Sequence, residues 1–165
     1  MENLWAPWRM EYIGHDKEDK SCIFCPQAKN NDSVLLIYDD ELVTVRMNKY
    51  PYSNAHLLVA PVSHIASLAK LKVAESMALI AMVTQSVEIL QDVFKPEGFN
   101  VGLNLGKAAG AGVDDHLHFH IVPRWNGDTN FMTVTADVRV IPEHIEATAA
   151  KLKPYFSDLK NGYKL

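Results

Sequence analysis

Five short stretches rich in apolar residues, each bounded by turn-like or polar residues, predict five β-strands. The predicted strands are Val34–Tyr38, Leu42–Arg46, His56–Ala60, Phe99–Leu105 and His116–Val122. The turn-like sequence Asp39–Glu41 separates the first two strands, and Pro61 stops the third. Because short turns join neighbouring strands, we expect the strands to pair in antiparallel fashion.

One long segment, residues 73–94, repeats its apolar positions with the ~3.6-residue period of an α-helix. These positions are Met77, Ile80, Val83, Val87, Leu90 and Phe94. Pro96 and Gly98 end the predicted helix, and a last helix is predicted to start at Pro142 and to end near Pro154. A strand meander interrupted by one long helix predicts an α+β fold, in which helices pack on one face of an antiparallel sheet.

The composition is that of one soluble domain. The chain has 165 residues, of which 48% are hydrophobic and 22% charged, and this length suits a single hydrophobic core. No apolar run reaches the ~18 residues of a membrane span, and the N-terminal residues lack the pattern of a signal peptide. We therefore expect a cytoplasmic protein with no membrane partner. The net charge of −4 argues against a nucleic-acid partner.

Three histidines alternate with apolar residues in the last predicted strand. On a strand, His116, His118 and His120 share one face, and the apolar residues between them share the other. The outer pair would lie roughly 13 Å apart, too far for all three rings to bind one tetrahedral zinc ion. An extended phosphate ligand suits the row better, because imidazole can attack phosphorus, act as an acid toward a leaving oxygen or bind phosphate.

A loop of small residues, Gly106–Gly112, directly precedes the histidine strand. Glycine lets backbone N–H groups crowd around an anion, so this position favours a phosphate cradle over a plain flexible turn. The loop is not a P-loop, because Lys107 follows its first glycine and no Ser or Thr comes next. Asn104, at the end of the preceding strand, can donate an amide N–H into the same space.

The chain has two cysteines, in the sequence Cys22-Ile23-Phe24-Cys25, which is too few for a disulfide scaffold. They support half of a structural zinc site, which needs two more ligands. A redox dithiol is a second interpretation, weakened because no βαβ pattern follows. Two unrelated buried thiols are a third interpretation, which the tight spacing disfavours. The histidines outside the row are His15, His56, His64 and His144.

Two of these segments, Asn54–His64 and His116–Val122, together resemble the histidine triad (HIT) family. The resemblance covers residues 22–125. We therefore expect a single HIT domain over residues 1–165, with an N-terminal aromatic arm (1–21) and a C-terminal extension (126–165). Three further segments resemble the bacterial diadenosine tetraphosphate phosphorylase-like branch of the family, namely Leu4–Met10, Gly98–Gly106 and Pro123–Phe131.

The resemblance implies an enzyme that cleaves dinucleoside polyphosphates of the diadenosine tetraphosphate type through a covalent nucleotidyl-histidine. His118 would attack the α-phosphorus, and His120 would contact the phosphate and help to protonate the leaving oxygen. The backbone carbonyl of His116 would hold the tautomer of His118. An adenosine phosphoramidate hydrolase and a nucleotide-binding regulator with little turnover are alternatives.

The resemblance also implies how an adenine nucleotide would bind. Asn48 would bind the ribose, His56 would lie near the phosphates, and Asn104 would bind the α-phosphate with the backbone amides of the glycine loop. The implied contacts are Asn48, His56, Asn104, Gly110, Gly112 and Val113. Where many family members have Gln-Ser/Thr-Val, this chain has Gly112–Asp115, so we expect backbone contacts alone, with both aspartates as solvated turn residues.

Family members with Cys-x-x-Cys bind zinc through both cysteines, a later histidine and the first triad histidine. The implied ligands of a structural zinc ion are therefore Cys22, Cys25, His64 and His116. This ion would also fix the strand that carries His118. No organic cofactor is expected. The resemblance further implies a homodimer, joined across the long helix and its neighbouring strand.

Overall fold

A computed structural model describes residues 22–25, 33–128 and 141–161 of the chain. An antiparallel sheet of five strands runs through these residues, in the order β1-β2-β3-β5-β4. The strands are β1 (Leu36–Asp39), β2 (Val43–Met47), β3 (Leu57–Pro61), β4 (Gly98–Leu103) and β5 (Phe119–Arg124). The first four lie within two residues of their predicted bounds.

Within the residues that the structure describes, two α-helices complete the predicted α+β fold: α1 (Val73–Phe94) and α2 (Ile145–Ser157). Short 3-10 turns occur at Leu68–Lys70, Lys107–Ala109 and Asp158–Asn161. Side chains from both helices join one apolar core with side chains from a single face of the sheet. The aromatic arm predicted for residues 1–21 lies outside the described residues, as does the middle of the C-terminal extension.

Strand β3 separates two apolar clusters, because alternate side chains of a strand point to opposite faces. Leu57 and Val59 belong to the main core beneath the helices. The side chains between them point to the other face of the sheet, where they form a smaller buried cluster. That second cluster consists of Phe24, Leu58, Ala60 and Val113. The sheet therefore has a helical face and an opposite face to which the Cys22–Cys25 segment contributes.

Helix α1 has its predicted bounds, but the face that it buries differs from the predicted apolar stripe. Met77 and Ile80 belong to that stripe, yet they are 54% and 55% exposed. The buried residues of α1 are Glu75, Ala78, Leu79, Ala81, Met82, Gln85, Ser86 and Leu90. Alanine and serine let the helix approach the sheet closely, so the buried face carries small and polar residues that a count of large apolar residues overlooks.

By length and composition alone, α1 is apolar enough to cross a membrane. The core helix of a soluble protein passes the same test, and 44% of the most apolar window of α1 is buried inside the structure. The helix packs against three strands of the sheet and against α2. Packing in the core therefore accounts for part of its hydropathy.

Strand β5 begins at Phe119 rather than at the predicted His116. Continuing the register between β3 and β5 would place Pro61 opposite Leu117, and proline has no N–H to donate to a ladder. The N–H of Leu117 instead donates to the carbonyl of Ile65 at 2.7 Å. The first two triad histidines therefore lie just before the strand, in a segment held by the loop that follows β3.

Helix α2 begins and ends three residues later than predicted. It spans Ile145–Ser157 instead of running from Pro142 to near Pro154, so Pro154 lies inside the helix. Leu152 and Phe156 lie on either side of this proline, and both are fully buried in the main core. Their burial in the core offsets the backbone hydrogen bond that Pro154 removes, so the helix continues beyond this residue.

Candidate active site and metal site

The predicted division of the triad segment into two faces is confirmed. Leu117 and Ile121 are buried in the main core, and Phe119 packs against it. The histidines lie on the other face, where the rings of His118 and His120 are 4.9 Å apart in a T-shaped arrangement. The two rings thus form one side-chain cluster that the main core does not use.

His118 has a defined tautomer. Its Nδ1–H donates to the backbone carbonyl of His116 at 2.9 Å, so Nε2 carries the lone pair. The ring of Phe24 stacks on His118 with the two centroids 4.9 Å apart. Burial lowers the pKa of His118 below that of a free imidazole, so the ring is neutral near pH 7. A neutral imidazole with a free Nε2 lone pair is a nucleophile.

His120 contacts a fourth histidine, His56, which is fully buried at the start of β3. The His56 Nε2 atom lies 3.0 Å from Nδ1 of His120. Tyr52 stacks on His120 with centroids 5.9 Å apart and tilts against His56. Asn48 also belongs to this cluster, because its Nδ2 lies 3.2 Å from Nδ1 of His56. The structure therefore brings two of the predicted substrate-binding residues, Asn48 and His56, directly beside the triad.

The glycine loop has the backbone that its sequence predicts at two positions. Gly106 and Gly110 have φ values of 78° and 82°, in the left-handed region that favours glycine. Asn104 donates its side-chain N–H to the carbonyl of Gly110 at 3.5 Å, so in this structure it ties the loop to the end of β4. Lys107 pairs with Asp114 across the loop at 3.7 Å.

The end of the glycine loop is connected to His118 through packing. Val113 is buried in the smaller apolar cluster together with Phe24, and Phe24 stacks on His118. Gly112 is half-buried next to Val113. The predicted phosphate cradle and the predicted nucleophile are thus joined by one aromatic side chain.

The four predicted metal ligands come together at one point. Their ligand atoms, from Cys22, Cys25, His64 and His116, all lie within 4.8 Å of one another, and they could hold a metal ion. Nδ1 of His116 is 3.2 Å from Sγ of Cys22 and 3.3 Å from Nδ1 of His64. Nδ1 of His64 is in turn 3.2 Å from Sγ of Cys25.

The tautomer of His116 suits a cation. Nε2 of His116 lies 2.8 Å from the carbonyl of Pro61, so this nitrogen donates and Nδ1 carries the lone pair that faces the thiols. Burial also lowers the pKa of His116. Burial and the neighbouring Cys22 raise the pKa of the Cys25 thiol to about 11, so a bound cation would have to displace its proton.

Asp115 was expected to be a solvated turn residue, but it also contacts the metal cluster. One carboxylate oxygen lies 3.6 Å from Nε2 of His64, although the Asp115 side chain is 66% exposed. A histidine that binds a metal through one nitrogen commonly donates its other N–H to a carboxylate. Asp115 is therefore placed to orient His64.

Two aromatic residues of the site were missed in the sequence. Phe24 lies inside the Cys-x-x-Cys segment, and the turn that brings the two cysteines together also places its ring on His118. Tyr52 precedes His56 by four residues and contacts both His56 and His120. The signal for each was its closeness in sequence to a residue already singled out.

The sequence pattern of the HIT domain family matches residues 28–127. The chain belongs to the HIT family. It is 36% identical over 157 residues to the AP-4-A phosphorylase of Mycobacterium tuberculosis, covering 90% of this chain and 80% of that protein. It is 30% identical over 135 residues to the adenosine 5′-monophosphoramidase of Schizosaccharomyces pombe, covering 80% of this chain and 96% of that protein.

Solved HIT structures have the same fold. A hypothetical histidine triad nucleotide-binding protein from Sulfolobus tokodaii superposes with a TM-score of 0.66 at 28% identity, covering 84% of this chain and 94% of that one. A zinc-bound histidine triad family protein from Mycobacterium smegmatis also gives a TM-score of 0.66, at 26% identity, covering 86% of this chain and 96% of that one.

Proposed function

We propose that this protein cleaves a dinucleoside polyphosphate, of the diadenosine tetraphosphate type, through a nucleotidyl group carried on His118. The observation that carries the proposal is the 2.9 Å hydrogen bond from Nδ1 of His118 to the carbonyl of His116. This bond leaves Nε2 of a buried, neutral ring as the nucleophile. The 36% identity to a mycobacterial AP-4-A phosphorylase supports this class of substrate.

The proposed reaction has two steps. Nε2 of His118 forms a bond to the α-phosphorus while the bond from phosphorus to the bridging oxygen breaks, and that oxygen keeps the electron pair. The carbonyl of His116 stabilises the positive charge on the nucleotidyl-imidazole through Nδ1–H. Water or inorganic phosphate then attacks phosphorus and releases a proton to the solvent. The bond to Nε2 breaks with its electron pair left on the nitrogen, and His118 returns to its neutral tautomer.

Replacing the nucleophile tests this mechanism directly. We expect His118→Ala to lower turnover of diadenosine tetraphosphate by about 1,000-fold or more, because the covalent intermediate is lost. Binding of adenosine monophosphate, measured by calorimetry, should persist. Intact-mass measurement of the quenched wild-type protein should detect the adduct. The exposed His144 offers a matched control, His144→Ala. Full activity of His118→Ala would overturn the mechanism.

The acceptor of the second step follows from the products. The protein is incubated with diadenosine tetraphosphate in the presence and absence of inorganic phosphate, and the nucleotides are separated. Adenosine diphosphate formed only when phosphate is present would establish phosphorolysis, as the name of the mycobacterial relative suggests. Adenosine monophosphate formed in both reactions would establish hydrolysis.

A second candidate function is hydrolysis of adenosine phosphoramidate. It is favoured by the 30% identity to the fission yeast adenosine 5′-monophosphoramidase, which the match covers almost completely. The nucleophile and the intermediate would be the same, and only the leaving group differs. The ratio of kcat/KM for adenosine phosphoramidate and diadenosine tetraphosphate decides between the two.

We also propose that the ion held by the cysteine–histidine cluster is zinc. Tetrahedral zinc with bonds of ~2.3 Å to sulfur and ~2.0 Å to nitrogen separates neighbouring donor atoms by ~3.3–3.8 Å. Four of the six separations between the ligand atoms, at 3.2 to 3.8 Å, match this geometry, and all six lie within 4.8 Å. The zinc-bound protein from Mycobacterium smegmatis supports the same choice of metal. Zinc bound by four protein side chains would be structural, fixing the segment that precedes His118.

Metal analysis of two variants tests the zinc site. The purified protein should contain about one zinc per chain, and Cys22→Ser should lose most of it, because a structural tetrahedral site needs all four ligands. His144→Ala serves as the control and should keep the metal. Wild-type protein that binds no zinc on titration, or full zinc content in Cys22→Ser, would contradict the proposal.

A further inference from the structure

Strand β2 carries a buried charged side chain, Arg46, which is only 3% exposed. Its neighbours along the strand, Val45 and Met47, belong to the main core under the helices. Arg46 therefore points to the opposite face of the sheet, as does Leu58, its antiparallel partner in β3. The triad histidines occupy this same face, so the chain buries a guanidinium on the side of the sheet that carries the proposed active site.

The strand register places Arg46 next to the predicted ribose contact. The pairing of β2 with β3 continues past the strand ends, because the backbone N–H of Asn48 donates to the carbonyl of His56 at 2.9 Å. Arg46 is two residues from Asn48 on the same face, about 6.6 Å along the strand. Across the sheet, Arg46 pairs with Leu58 and Leu58 pairs with His120, so the backbones of Arg46 and His120 lie about 10 Å apart.

This placement matches the far end of a bound nucleotide. Its phosphate would lie at the triad on β5, and its ribose would be held by Asn48 at the end of β2. The base and the phosphate leave the ribose at different carbons, so the base would extend away from the triad and over β2. Arg46 is the charged residue of β2 that lies there.

Stability is a weak explanation for a buried arginine at this position. Taking a guanidinium out of water costs several kcal/mol, and a buried ion pair seldom stabilises a fold more than apolar residues of similar volume. The proposed nucleophile, His118, is 5% exposed, so such burial is typical of the site. A guanidinium has five N–H donors, enough to hold a partner within the protein and to present two parallel N–H groups to a ligand.

We propose that Arg46 recognises the base and makes the site prefer guanine over adenine. Guanine carries two adjacent acceptors, O6 and N7, which a guanidinium contacts through two parallel N–H donors. Adenine carries an amino group beside N7, so one N–H of the guanidinium would face another N–H. The inference rests on the proposed function for the reaction, and it narrows the substrate class to dinucleoside polyphosphates that contain at least one guanine. Adenine nucleotides, which the names of two relatives contain, would be weaker ligands of this chain.

Binding of nucleoside monophosphates to the wild-type protein tests the base preference without any reaction. In calorimetry, guanosine and inosine monophosphates, which share O6 and N7, should bind about 10-fold or more tightly than adenosine monophosphate. The analogue 7-deazaguanosine monophosphate lacks N7 and should lose most of this advantage. Adenosine monophosphate that binds as tightly as guanosine monophosphate would overturn the proposal.

Variants of Arg46 test whether the guanidinium causes the preference. Arg46→Met keeps an unbranched side chain without the charge, so guanosine monophosphate should lose about 10-fold in affinity while adenosine monophosphate changes little. Arg46→Lys keeps the charge but not the paired donors and should retain only part of the preference. Thr44→Val changes another buried residue on the same face of β2 and is the matched control, with the wild-type preference expected.

Two results with Arg46→Met would contradict the proposal. An equal loss of affinity for both nucleotides would show that the guanidinium binds phosphate or ribose rather than the base. An unchanged preference for guanine would show that Arg46 is only structural. Circular dichroism shows whether the variant folds; if it does not, the nucleotide series with the wild-type protein decides.

Turnover separates this proposal from the proposed function. Equal kcat/KM values for diguanosine and diadenosine tetraphosphates would overturn the base preference and leave the proposed function intact. A wild-type protein that prefers guanosine monophosphate through Arg46 but cleaves neither tetraphosphate would overturn the proposed function and leave the role of Arg46 intact.

Discussion

Backbone groups give chemically identical side chains different roles at this site. A carbonyl fixes the tautomer of His118, another carbonyl fixes that of His116, and a backbone N–H fixes that of His56. The other nitrogen of each ring is thereby defined as either a lone-pair acceptor or an N–H donor. The chemistry of the triad therefore depends on the path of the main chain as much as on the histidines.

Replacing Phe24 should change the orientation of the His118 ring without affecting metal binding. It is buried and stacked on His118. We expect Phe24→Leu to reduce the rate of adduct formation by about 10-fold, because the His118 ring gains freedom to rotate, at a stability cost of about 1 kcal/mol. Single-turnover kinetics and chemical denaturation measure the two effects.

Metal content provides the control for that variant. Ile23 belongs to the same turn but is 39% exposed, so Ile23→Leu should leave adduct formation unchanged. Both variants should retain the metal, since neither removes a ligand. An unchanged rate in Phe24→Leu would show that stacking does not orient the nucleophile.

At the scale of elements, one carboxylate joins the first turn of α1 to the segment after β3. Glu75 is buried; it accepts the backbone N–H of Lys72 at 2.8 Å and a hydrogen bond from Ser63. This is one half of a capping box. The hydroxyl of Ser63, followed by the N–H of Lys72, holds the pKa of Glu75 below its usual range. Ser63 directly precedes the metal-site residue His64.

This arrangement predicts a pH-dependent stability difference. A carboxylate whose pKa is lowered by folding stabilises the folded state above its unfolded pKa of about 4.5, and the contribution is lost as the pH falls through the folded pKa. Glu75→Gln should therefore destabilise the protein by about 1 kcal/mol at pH 7, and the difference should shrink below pH of about 4.5.

Chemical denaturation at several pH values measures this difference. Glu88→Gln changes an exposed glutamate of the same helix and should have little effect at any of them. A stability difference for Glu75→Gln that stays constant from pH 7 to pH 3 would show that the charge of Glu75 contributes nothing.

The elements also show what the sequence could and could not predict. Helical spacing predicted the bounds of α1. Its buried face depends on how the helix packs against the sheet, and the spacing of large apolar residues does not predict that packing. The row of histidines predicted its two faces correctly. The predicted start of β5 was wrong, because the true start depends on Pro61 in another strand. Features that depend on a single segment could be predicted from the sequence, whereas those that depend on contacts between segments could not.

The candidate site follows the same rule. The metal ligands and the orientation of His118 came from the family resemblance, and the structure brings these residues together as expected. The contacts of Asn48 with His56 and of Asp115 with His64 were not predicted. Each contact depends on the packing of loops that are distant in sequence or irregular in shape, so the spacing of residues along the chain does not predict it.

At the scale of the whole molecule, the helices and the chemistry occupy opposite faces of one sheet. The main core lies under α1 and α2, while Phe24 and the histidines lie on the other face. Helix α1 nevertheless has an exposed apolar stripe, formed by Val73, Met77 and Ile80. A monomer seldom leaves such a stripe in water, and we propose that it contributes to a homodimer.

A charge placed in this stripe tests the dimer. Met77→Lys should weaken association by about 100-fold or more, since a symmetric interface would bury the new charge twice. Tyr155→Lys, at a similarly exposed aromatic residue on α2, is the control. Sedimentation measures the change; a wild-type monomer, or an unaffected Met77→Lys dimer, would contradict the proposal.

The several contacts of His116 have a consequence for how such a site can evolve. Its imidazole serves the metal cluster, but it is the main-chain carbonyl that holds His118. Any amino acid supplies a main-chain carbonyl, so mutation can remove the imidazole without removing the group that orients the His118 ring. A relative that lost one ligand of the proposed metal site would lose the ion and still have the carbonyl that holds His118, provided that the turn keeps its conformation.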